Sequence, residues 1–384
     1  MSLKTSNIQA LSYADRAELP SISSLASYLL TLISIKRSNL ALSADVHTTA
    51  ELLELAETIG DYICVLKTHA DIIDDFSERT IRGLQDVSKR KHFLIFEDRK
   101  FGDIGNTLQS QYTRGPLRIA HWAHLTNAHL LPGPSIISAL YSAAQETLTT
   151  LNQTVATTIT SGGSDPNLLE HAQPSIPSTN VPLTPDDDNE EEGLVLRHHR
   201  TNSFNATATT TISQTYESAA PPPPPRLLKS LSNPLSSGDT AEDVDIPSAL
   251  AELGPPPQAR GLLLLAQMSS EGNLATGEYT KACVEAAREY KNFVVGFICQ
   301  ESLNTGKEFV NFTPGVGLED EGEGKEGKGD GKGQVWRTPE EVVGRDGVDV
   351  VIVGRGILKA KDRVAEAERF RRAAWRAYEG RLKR

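Results

Sequence analysis

Eight short apolar runs constrain the fold of this chain more than any other feature. Most are continuous rather than alternating, which is typical of parallel strands that are buried on both faces. Because parallel neighbours need crossover connections, such a series predicts either a closed barrel or an open α/β sheet. The runs are NLALSAD (39–45), DYICVLK (61–67), HFLIFED (92–98), AHLTNAH (123–129), GLLLLAQ (261–267), FVVGFIC (293–299), EFVNFT (308–313) and VDVVIVG (348–354).

Helical patterns lie between these runs. HTTAELLELAETIG (47–60) places its apolar residues on one face, and GEYTKACVEAAREY (277–290) and KDRVAEAERFRRAAWRAY (361–378) behave alike. Eight strands with intervening helices predict an α/β fold of the (β/α)8 TIM barrel type. A doubly wound open sheet is the alternative, but no G-x-G-x-x-G follows the first strand to support it.

Two regions differ in composition from the rest of the chain. Residues 150–257 are rich in Thr, Ser, Pro and Asn and contain DDDNEEE and PPPPP, which predicts a long disordered insertion between strands 4 and 5. Residues 318–333 form a Gly/Glu/Lys tract that predicts a mobile surface loop. The barrel is therefore predicted as two halves, 1–149 with strands 1 to 4 and 258–384 with strands 5 to 8.

Charge and cysteine content narrow the class of protein. The net charge of −11 and the pI near 5.4 argue against a nucleic-acid-binding surface. Cys64, Cys283 and Cys299 lie in apolar runs and are interpreted as reduced core residues. The first residues show no signal-peptide pattern, and the apolar runs are too short to cross a bilayer. A cytoplasmic protein without membrane association is expected.

Charged residues stand where the predicted strands end, on the face where barrel active sites are built. Asp45 ends the first strand, Lys67 the second, and Asp98 and Lys100 the third. Asp98 and Lys100 are two residues apart, so on an extended chain they should point the same way. Asp103 follows where the next helix starts. Since opposite charges keep each other ionised when water is excluded, this pattern predicts a functional charged network.

The segment VGRG (353–356) ends the eighth strand, and TPGVG (313–317) is a second Gly-rich turn after the seventh. Barrels commonly bind phosphate at the loops after strands 7 and 8. Glycines let backbone N–H groups approach an anion, and Arg355 adds a guanidinium. A phosphorylated substrate is therefore expected. No metal site is predicted, because the histidines lack the spacing of a ligand set.

Five segments together resemble the orotidine 5′-phosphate decarboxylase family, in its fungal form. The D-x-K-x-x-D element of the third strand is that family's signature. The resemblance implies decarboxylation of orotidine 5′-monophosphate to UMP and CO2, the last step of de novo pyrimidine biosynthesis, without metal or organic cofactor. It also implies a homodimer with shared active sites. The segments are LALSADVHTTAELLELAETIGDYICVLKTHADIIDDF, FLIFEDRKFGDIGNT, QMSSEGNLATGEYT, TPGVG and VIVGRG.

The resemblance further implies a role for each matching residue. Lys100 would protonate C6, Asp98 would lie against the substrate carboxylate, and Asp103 would reach into the partner's site. The family commonly has a phosphate-gripping Tyr where Trp336 stands here. The implied catalytic set is Lys67, Asp98, Lys100 and Asp103. The implied substrate-binding set is Asp45 and Lys67 for the ribose, Thr107 from the partner, Ser269 for the pyrimidine edge, Pro314 after strand 7, and Gln334, Gly354 and Arg355 for the phosphate.

Two other functions remain open from the residues alone. One is another phosphate-binding barrel enzyme, such as a sugar-phosphate epimerase, which usually needs a metal or lacks the loop that carries Ser269. The other is a non-catalytic scaffold whose PPPPP segment (221–225) binds SH3- or WW-like partners. The intact Lys and Asp pattern argues against lost catalysis.

Overall fold

The structure is a closed parallel barrel, which confirms the predicted fold. This computed structural model describes residues 11–151, 153–161, 208–216, 245–270, 272–303, 306–318 and 336–383, with backbone alone for 153–161 and 208–216. The barrel order is β1-β10-β9-β8-β7-β4-β3-β2, and each predicted run overlaps one barrel strand, although β2, β3 and β9 extend past the ends of their runs. The barrel strands are β1 Leu40–Ser43, β2 Val65–Thr68, β3 Leu94–Phe101, β4 Leu125–Ala128, β7 Gly261–Leu265, β8 Val294–Ile298, β9 Val310–Pro314 and β10 Val350–Val353.

Helices follow the barrel strands, and the three predicted helices correspond to α3, α8 and α10. No helix in the described part of the chain is both long and apolar enough to cross a membrane. The α-helices are α1 Tyr13–Ala17, α2 Ser24–Lys36, α3 Thr49–Ile59, α4 Glu78–Lys91, α5 Gly105–Thr113, α6 Ser135–Leu151, α7 Ile246–Leu253, α8 Glu278–Glu289, α9 Arg355–Leu358 and α10 Arg363–Leu382; Gly60–Tyr62, Ala70–Ile72 and Ile119–His121 are 3-10 turns, and Glu340–Arg345 is π-helical.

The interval predicted as an insertion contains regular backbone at both ends. Strands β5 (Gln153–Ser161) and β6 (Ala208–Tyr216) pair antiparallel and form a separate unit. Helix α7 belongs to the barrel unit instead, since Leu250 packs against its core. The described part of the barrel unit therefore resumes at residue 245, before the predicted boundary at 258, because α7 carries an apolar face that the average composition of the interval conceals. The Gly/Glu/Lys tract from residue 319 lies outside the described residues.

A buried lysine joins the N-terminal end of the barrel to helix α2. Lys36 is 5% exposed, and its Nζ donates to the carbonyl oxygens of Gly60 and Ile63 at 2.7 Å and of Lys91 and His92 at 2.9 Å. Burial lowers the pKa of Lys36 to about 7. The four carbonyls favour the ammonium form, which has three N–H groups to donate. The contact fixes the end of α2 against the segments that lead into β2 and β3.

A buried ion pair joins helix α1 to the start of β10. Arg16 Nη1 lies 2.5 Å from Asp349 Oδ1, and the two side chains are 4% and 2% exposed. Asp349 Oδ2 also accepts from the Asn311 backbone N–H at 3.0 Å. Removing one partner of such a pair leaves the other charge buried without compensation.

Replacing Asp349 by alanine should therefore lower the free energy of unfolding by about 3–5 kcal/mol, measured by urea denaturation. The matched control is Glu57→Ala, which removes the acid of the exposed pair with Arg90 (2.7 Å). Exposed pairs contribute little, so the control should change the free energy far less. Equal losses in the two variants would contradict a stabilising role for the buried pair.

Candidate active site

The carboxylate of Asp98 is the centre of a polar array at the C-terminal ends of β2, β3 and β4. Lys67 Nζ lies 2.8 Å from Oδ2, and Lys100 Nζ lies 2.6 Å from Oδ1. His69 Nε2 is 3.1 Å from Oδ2, and Asn127 Nδ2 donates to Oδ1 at 2.7 Å. Two lysines thus share one carboxylate that is only 11% exposed.

Electrostatics keep this carboxylate ionised. Burial by itself would raise the pKa of Asp98, but Lys67, His69 and Lys100 outweigh it and hold the pKa well below the ordinary value. A buried charge is stable only when it is paired and hydrogen-bonded. The array therefore fixes two ammonium groups beside a permanent negative charge.

The backbone at Lys100 departs from a regular strand. Lys100 has a φ of +52°, and the pairing of β3 with β4 shifts register between Glu97 and Phe101. Its backbone N–H donates to Asn127 Oδ1 at 2.7 Å, which holds this unusual conformation. The prediction that Asp98 and Lys100 meet is confirmed, but the reason given for it was wrong. The register shift and the positive φ of Lys100 set its position, instead of the two-residue period of an extended strand.

The array forms one wall of a cavity of about 480 Å³ at the C-terminal face of the barrel. A cavity of this size lies within the range of small-molecule binding sites. Phe96, Leu265, Ile298 and Ile352 give it an apolar part. Eight of the predicted site residues line it, namely Asp45, Lys67, Asp98, Lys100, Ser269, Pro314, Gly354 and Arg355.

Asp103 and Thr107 are not among the described residues that line the cavity. Within the chain, Asp103 Oδ1 accepts from the Ile104 backbone N–H at 2.8 Å, and Oδ2 accepts from Gln111 Nε2 at 2.8 Å. Thr107 is exposed on α5. Asp103 therefore makes no ion pair with Lys67 or Lys100 within the described chain. Its role in the site of a partner subunit stays a prediction.

Gly354, Arg355 and Gly356 also line the cavity. A Cβ atom on Gly354 would lie 3.2 Å from Ser43 Cβ and 3.4 Å from Asp45 Oδ2, so a side chain would crowd this turn. Arg355 Cζ lies 5.6 Å from the centre of the Trp336 ring, and both residues line the cavity. Trp336 therefore lies beside the Arg355 guanidinium, at the position where the family commonly has a Tyr. Gln334 lies outside the described residues.

Comparisons with known proteins agree on one family. The model described as orotidine 5′-phosphate decarboxylase / HUMPS family matches residues 38–370. The chain belongs to this family. It is 45% identical over 370 residues to the orotidine 5′-phosphate decarboxylase of Hypocrea atroviridis, with 94% of each chain covered. It is 39% identical to that of Aureobasidium pullulans, with 96% of this chain and 93% of the relative covered. The resemblance seen in the sequence is therefore confirmed.

The family match begins just before β1 and ends in α10, so it spans the whole barrel. A solved orotidine 5′-phosphate decarboxylase from Pyrococcus horikoshii OT3 is 13% identical, covering 87% of this chain and 98% of its own with a TM-score of 0.43. Family membership rests on the model and on the fungal relatives. Among the described residues, no group of three or more His, Cys, Asp or Glu side chains is placed to hold a metal ion.

In this member of the decarboxylase family, His69 joins the site although sequence reasoning missed it. His69 Nδ1 lies 2.9 Å from Asp45 Oδ1, and Nε2 lies 3.1 Å from Asp98 Oδ2. The signal was present, since Lys67 and His69 are two apart where β2 ends. Burial by itself would lower the pKa of His69, but its bonds to the two carboxylates raise it to about 8. The imidazolium therefore bridges Asp45 and Asp98 at neutral pH.

His69 should titrate near pH 8 in the folded protein, as followed by NMR of its ring C–H groups. Because its folded pKa exceeds the unfolded value of about 6.5, His69 contributes stability below pH 6.5 that is lost as the pH rises through about 8. Asp45→Asn should move the midpoint downward. The control is His92, whose pKa burial lowers and which lies outside the array. A His69 midpoint below 6.5 in the wild-type protein would contradict the bridging role.

Glu97 is the second residue that sequence reasoning missed, and it is fully buried beside the site. Thr68 Oγ1 donates to its Oε2 at 2.6 Å, and the Ala70 backbone N–H lies 3.0 Å from Oε1. Burial raises the pKa of Glu97 to about 7. These bonds hold the backbone on both sides of His69, so Glu97 supports the turn that presents the imidazole. A glutamate inside an otherwise buried strand was the available signal.

Proposed function

We propose that this protein converts orotidine 5′-monophosphate to UMP and CO2, the last step of de novo pyrimidine biosynthesis. Family membership supports this activity, and so does the size of the cavity. The observation that carries the proposal is the Lys67–Asp98–Lys100 array, with Lys100 Nζ held 2.6 Å from Asp98 on the cavity wall. Such an array holds a proton donor in a fixed position, where it can stabilise the charge that develops in the transition state.

The proposed reaction needs the protein's own charges alone, with no metal or organic cofactor. When the bond between C6 and the carboxylate breaks, CO2 leaves and the electron pair stays on C6. That pair lies in the ring plane, where no π system delocalises it, so the ammonium of Lys100 must stabilise it. Lys100 Nζ then donates a proton to C6 and recovers one from solvent. Asp98 holds Lys100 in position and faces the substrate carboxylate.

We propose that the rest of the cavity binds the substrate by its parts. Asp45 and Lys67 hold the ribose hydroxyls, and Ser269 contacts the pyrimidine edge. Binding energy from the remote phosphate helps to close the loops after β7 and β9 over the reacting atoms. The phosphate contacts are Arg355, the backbone at Gly354, Gln334 and Trp336, beside Pro314.

We also propose a homodimer in which Asp103 and Thr107 complete the partner's site. Three exposed apolar side chains support this arrangement, namely Ile72, Ile104 and Leu131, at 37%, 60% and 75% exposure. They follow β2, β3 and β4, so all three lie at the C-terminal face, and Ile104 is the next residue after Asp103. Exposed apolar groups that cluster in this way mark interaction surfaces.

The direct test is a spectroscopic assay of orotidine 5′-monophosphate loss by the purified chain, with and without EDTA. We expect UMP to form at the same rate in both conditions. Loss of activity with EDTA would favour a metal-dependent enzyme of another phosphate-binding class. A chain that leaves orotidine 5′-monophosphate unchanged would contradict the proposal.

We further propose that the insertion is dispensable for catalysis. Deleting residues 155–242 and joining the ends with a Gly/Ser linker should leave kcat and KM within about twofold, since β5 and β6, which the deletion cuts or removes, form a unit separate from the barrel. The deletion must stop before α7, because Tyr28 Oη donates to the Gly254 carbonyl at 3.1 Å. A matched deletion of residues 155–253, which also removes α7, should give a less stable protein. Inactive but dimeric 155–242 deletion protein would show that the insertion belongs to the site.

A further inference from the structure

A second cavity, of about 410 Å³, lies at the opposite end of the barrel from the active site. Lys89 lines it at the end of α4, His124 just before β4 and Arg260 just before β7. These positions belong to the N-terminal face, whereas the catalytic array stands where β2, β3 and β4 end. The two cavities are therefore separate sites.

The lining of this second cavity is strongly basic in a chain whose net charge is −11. Arg82, Lys89, Arg118 and Arg260 contribute four cationic side chains, and Glu78 is the one acid among the described lining residues. Glu78 pairs with Arg118 and, at 3.7 Å, with Arg82. The charges of Lys89 and Arg260 therefore have no acidic partner in the lining.

Arg260 is the most informative of these residues because it is only 8% exposed. Its Nε donates to the Ala120 carbonyl at 2.5 Å and its Nη1 to the Ala259 carbonyl at 2.8 Å. Its Nη2 makes no hydrogen bond within the described part of the chain. Nη2 is not among the buried atoms that lack a partner in the described chain, so solvent reaches it, and it can donate to an anion in the cavity that Arg260 lines.

Two histidines that line the same cavity have pKa values that nearby cationic side chains help to lower. His121 Nδ1 is buried and has no hydrogen-bond partner among the described residues. Burial, Arg118 and Arg260 lower the pKa of His121. Burial, Arg260 and Lys89 lower the pKa of His124 to about 3. The cavity thus offers donors and positive charge that the described chain leaves uncompensated.

We propose that this basal anion site, formed by Lys89, Arg118, His121 and Arg260, binds a phosphorylated small molecule. Its volume lies in the range of small-ligand pockets. Guanidinium and ammonium groups from separate segments suit the several oxygens of a phosphate. Trp122 and Pro256 also line the cavity and supply an apolar surface for the rest of the ligand.

The test is calorimetric titration of the full chain with inorganic pyrophosphate, in the presence of saturating UMP to occupy the active site. We expect one pyrophosphate per chain. Lys89→Gln should weaken its affinity about tenfold, as expected for loss of a charge-assisted hydrogen bond. Arg260→Gln should do the same, and Arg260→Lys should recover part of the loss. The matched control is Arg288→Gln, on the exposed face of α8, which should leave the affinity unchanged.

Three results would overturn the proposal. They are the absence of binding, equal affinities in the wild-type and Lys89→Gln proteins, and tighter binding after the acidic run at 186–192 is neutralised with Asn and Gln. The last result would identify this chain's own carboxylates as the occupant of the cavity. The titration is also performed without UMP, when a second pyrophosphate should bind at Arg355. Lys89→Gln should weaken the binding of the first pyrophosphate in both conditions, so a failure of the basal anion site can be distinguished from a failure of the proposed function.

Discussion

Replacing Lys100 by alanine should reduce kcat for orotidine 5′-monophosphate by about 10⁴-fold or more. The variant loses both the ammonium that stabilises the C6 carbanion and the proton donor. Each of these contributions is worth on the order of 10²-fold or more. KM should change far less, because Lys67, Arg355 and the remaining cavity residues still bind the substrate.

The chain should nevertheless fold, since the Lys100 side chain is 37% exposed and the barrel core does not depend on it. Thermal unfolding monitored by circular dichroism would establish this point. Lys291→Ala removes an exposed lysine elsewhere and should keep wild-type kcat. A folded Lys100→Ala protein with wild-type turnover would remove Lys100 from the proposed mechanism.

Mixing Lys100→Ala subunits with Asp103→Ala subunits should restore about a quarter of wild-type activity from two inactive proteins. If each site takes Lys100 from one subunit and Asp103 from its partner, every mixed dimer carries one intact site. Random assortment makes about half of the dimers mixed, and one of their two sites works. Within one chain, Asp103 Oδ2 accepts from Gln111 Nε2, and Asp103 is not among the described residues that line the cavity of Lys100.

The matched control mixes Lys100→Ala with Asp98→Asn. Both residues belong to the array of a single chain, so each site of the mixed dimer retains one defect and activity should stay absent. Native mass spectrometry would verify that mixed dimers form. If mixed dimers of Lys100→Ala and Asp103→Ala stay inactive, or if the control pair recovers equally, Asp103 does not act across the interface.

The barrel itself could be predicted because its signals are local. Each strand corresponds to a short apolar run, such as GLLLLAQ, and each run overlaps a barrel strand in the structure. The polar residues that end those runs could be placed on the catalytic face, since all parallel strands end there. Asp45, Lys67, Asp98 and Arg355 were found in this way, and the family signature supplied their expected roles.

The sites depended on contacts between segments that are distant in the sequence. Asn127, on β4, bonds both the Asp98 carboxylate and the Lys100 backbone, and nothing near it in the sequence marks it as a partner. The basal anion site likewise joins α4, the segment before β4 and the segment before β7. No local pattern relates Lys89 to Arg260, which are separated by the insertion.

The sequence by itself determined the number of barrel strands and their order along the chain, the family and the polar residues at the strand ends. These follow from hydrophobic periodicity and from motifs, which are properties of neighbouring residues. The tertiary structure alone decided how His69 bridges two carboxylates, how a register shift positions Lys100, and where Asp103 lies relative to the array. Those features depend on barrel closure, which sets the distances between side chains of different strands.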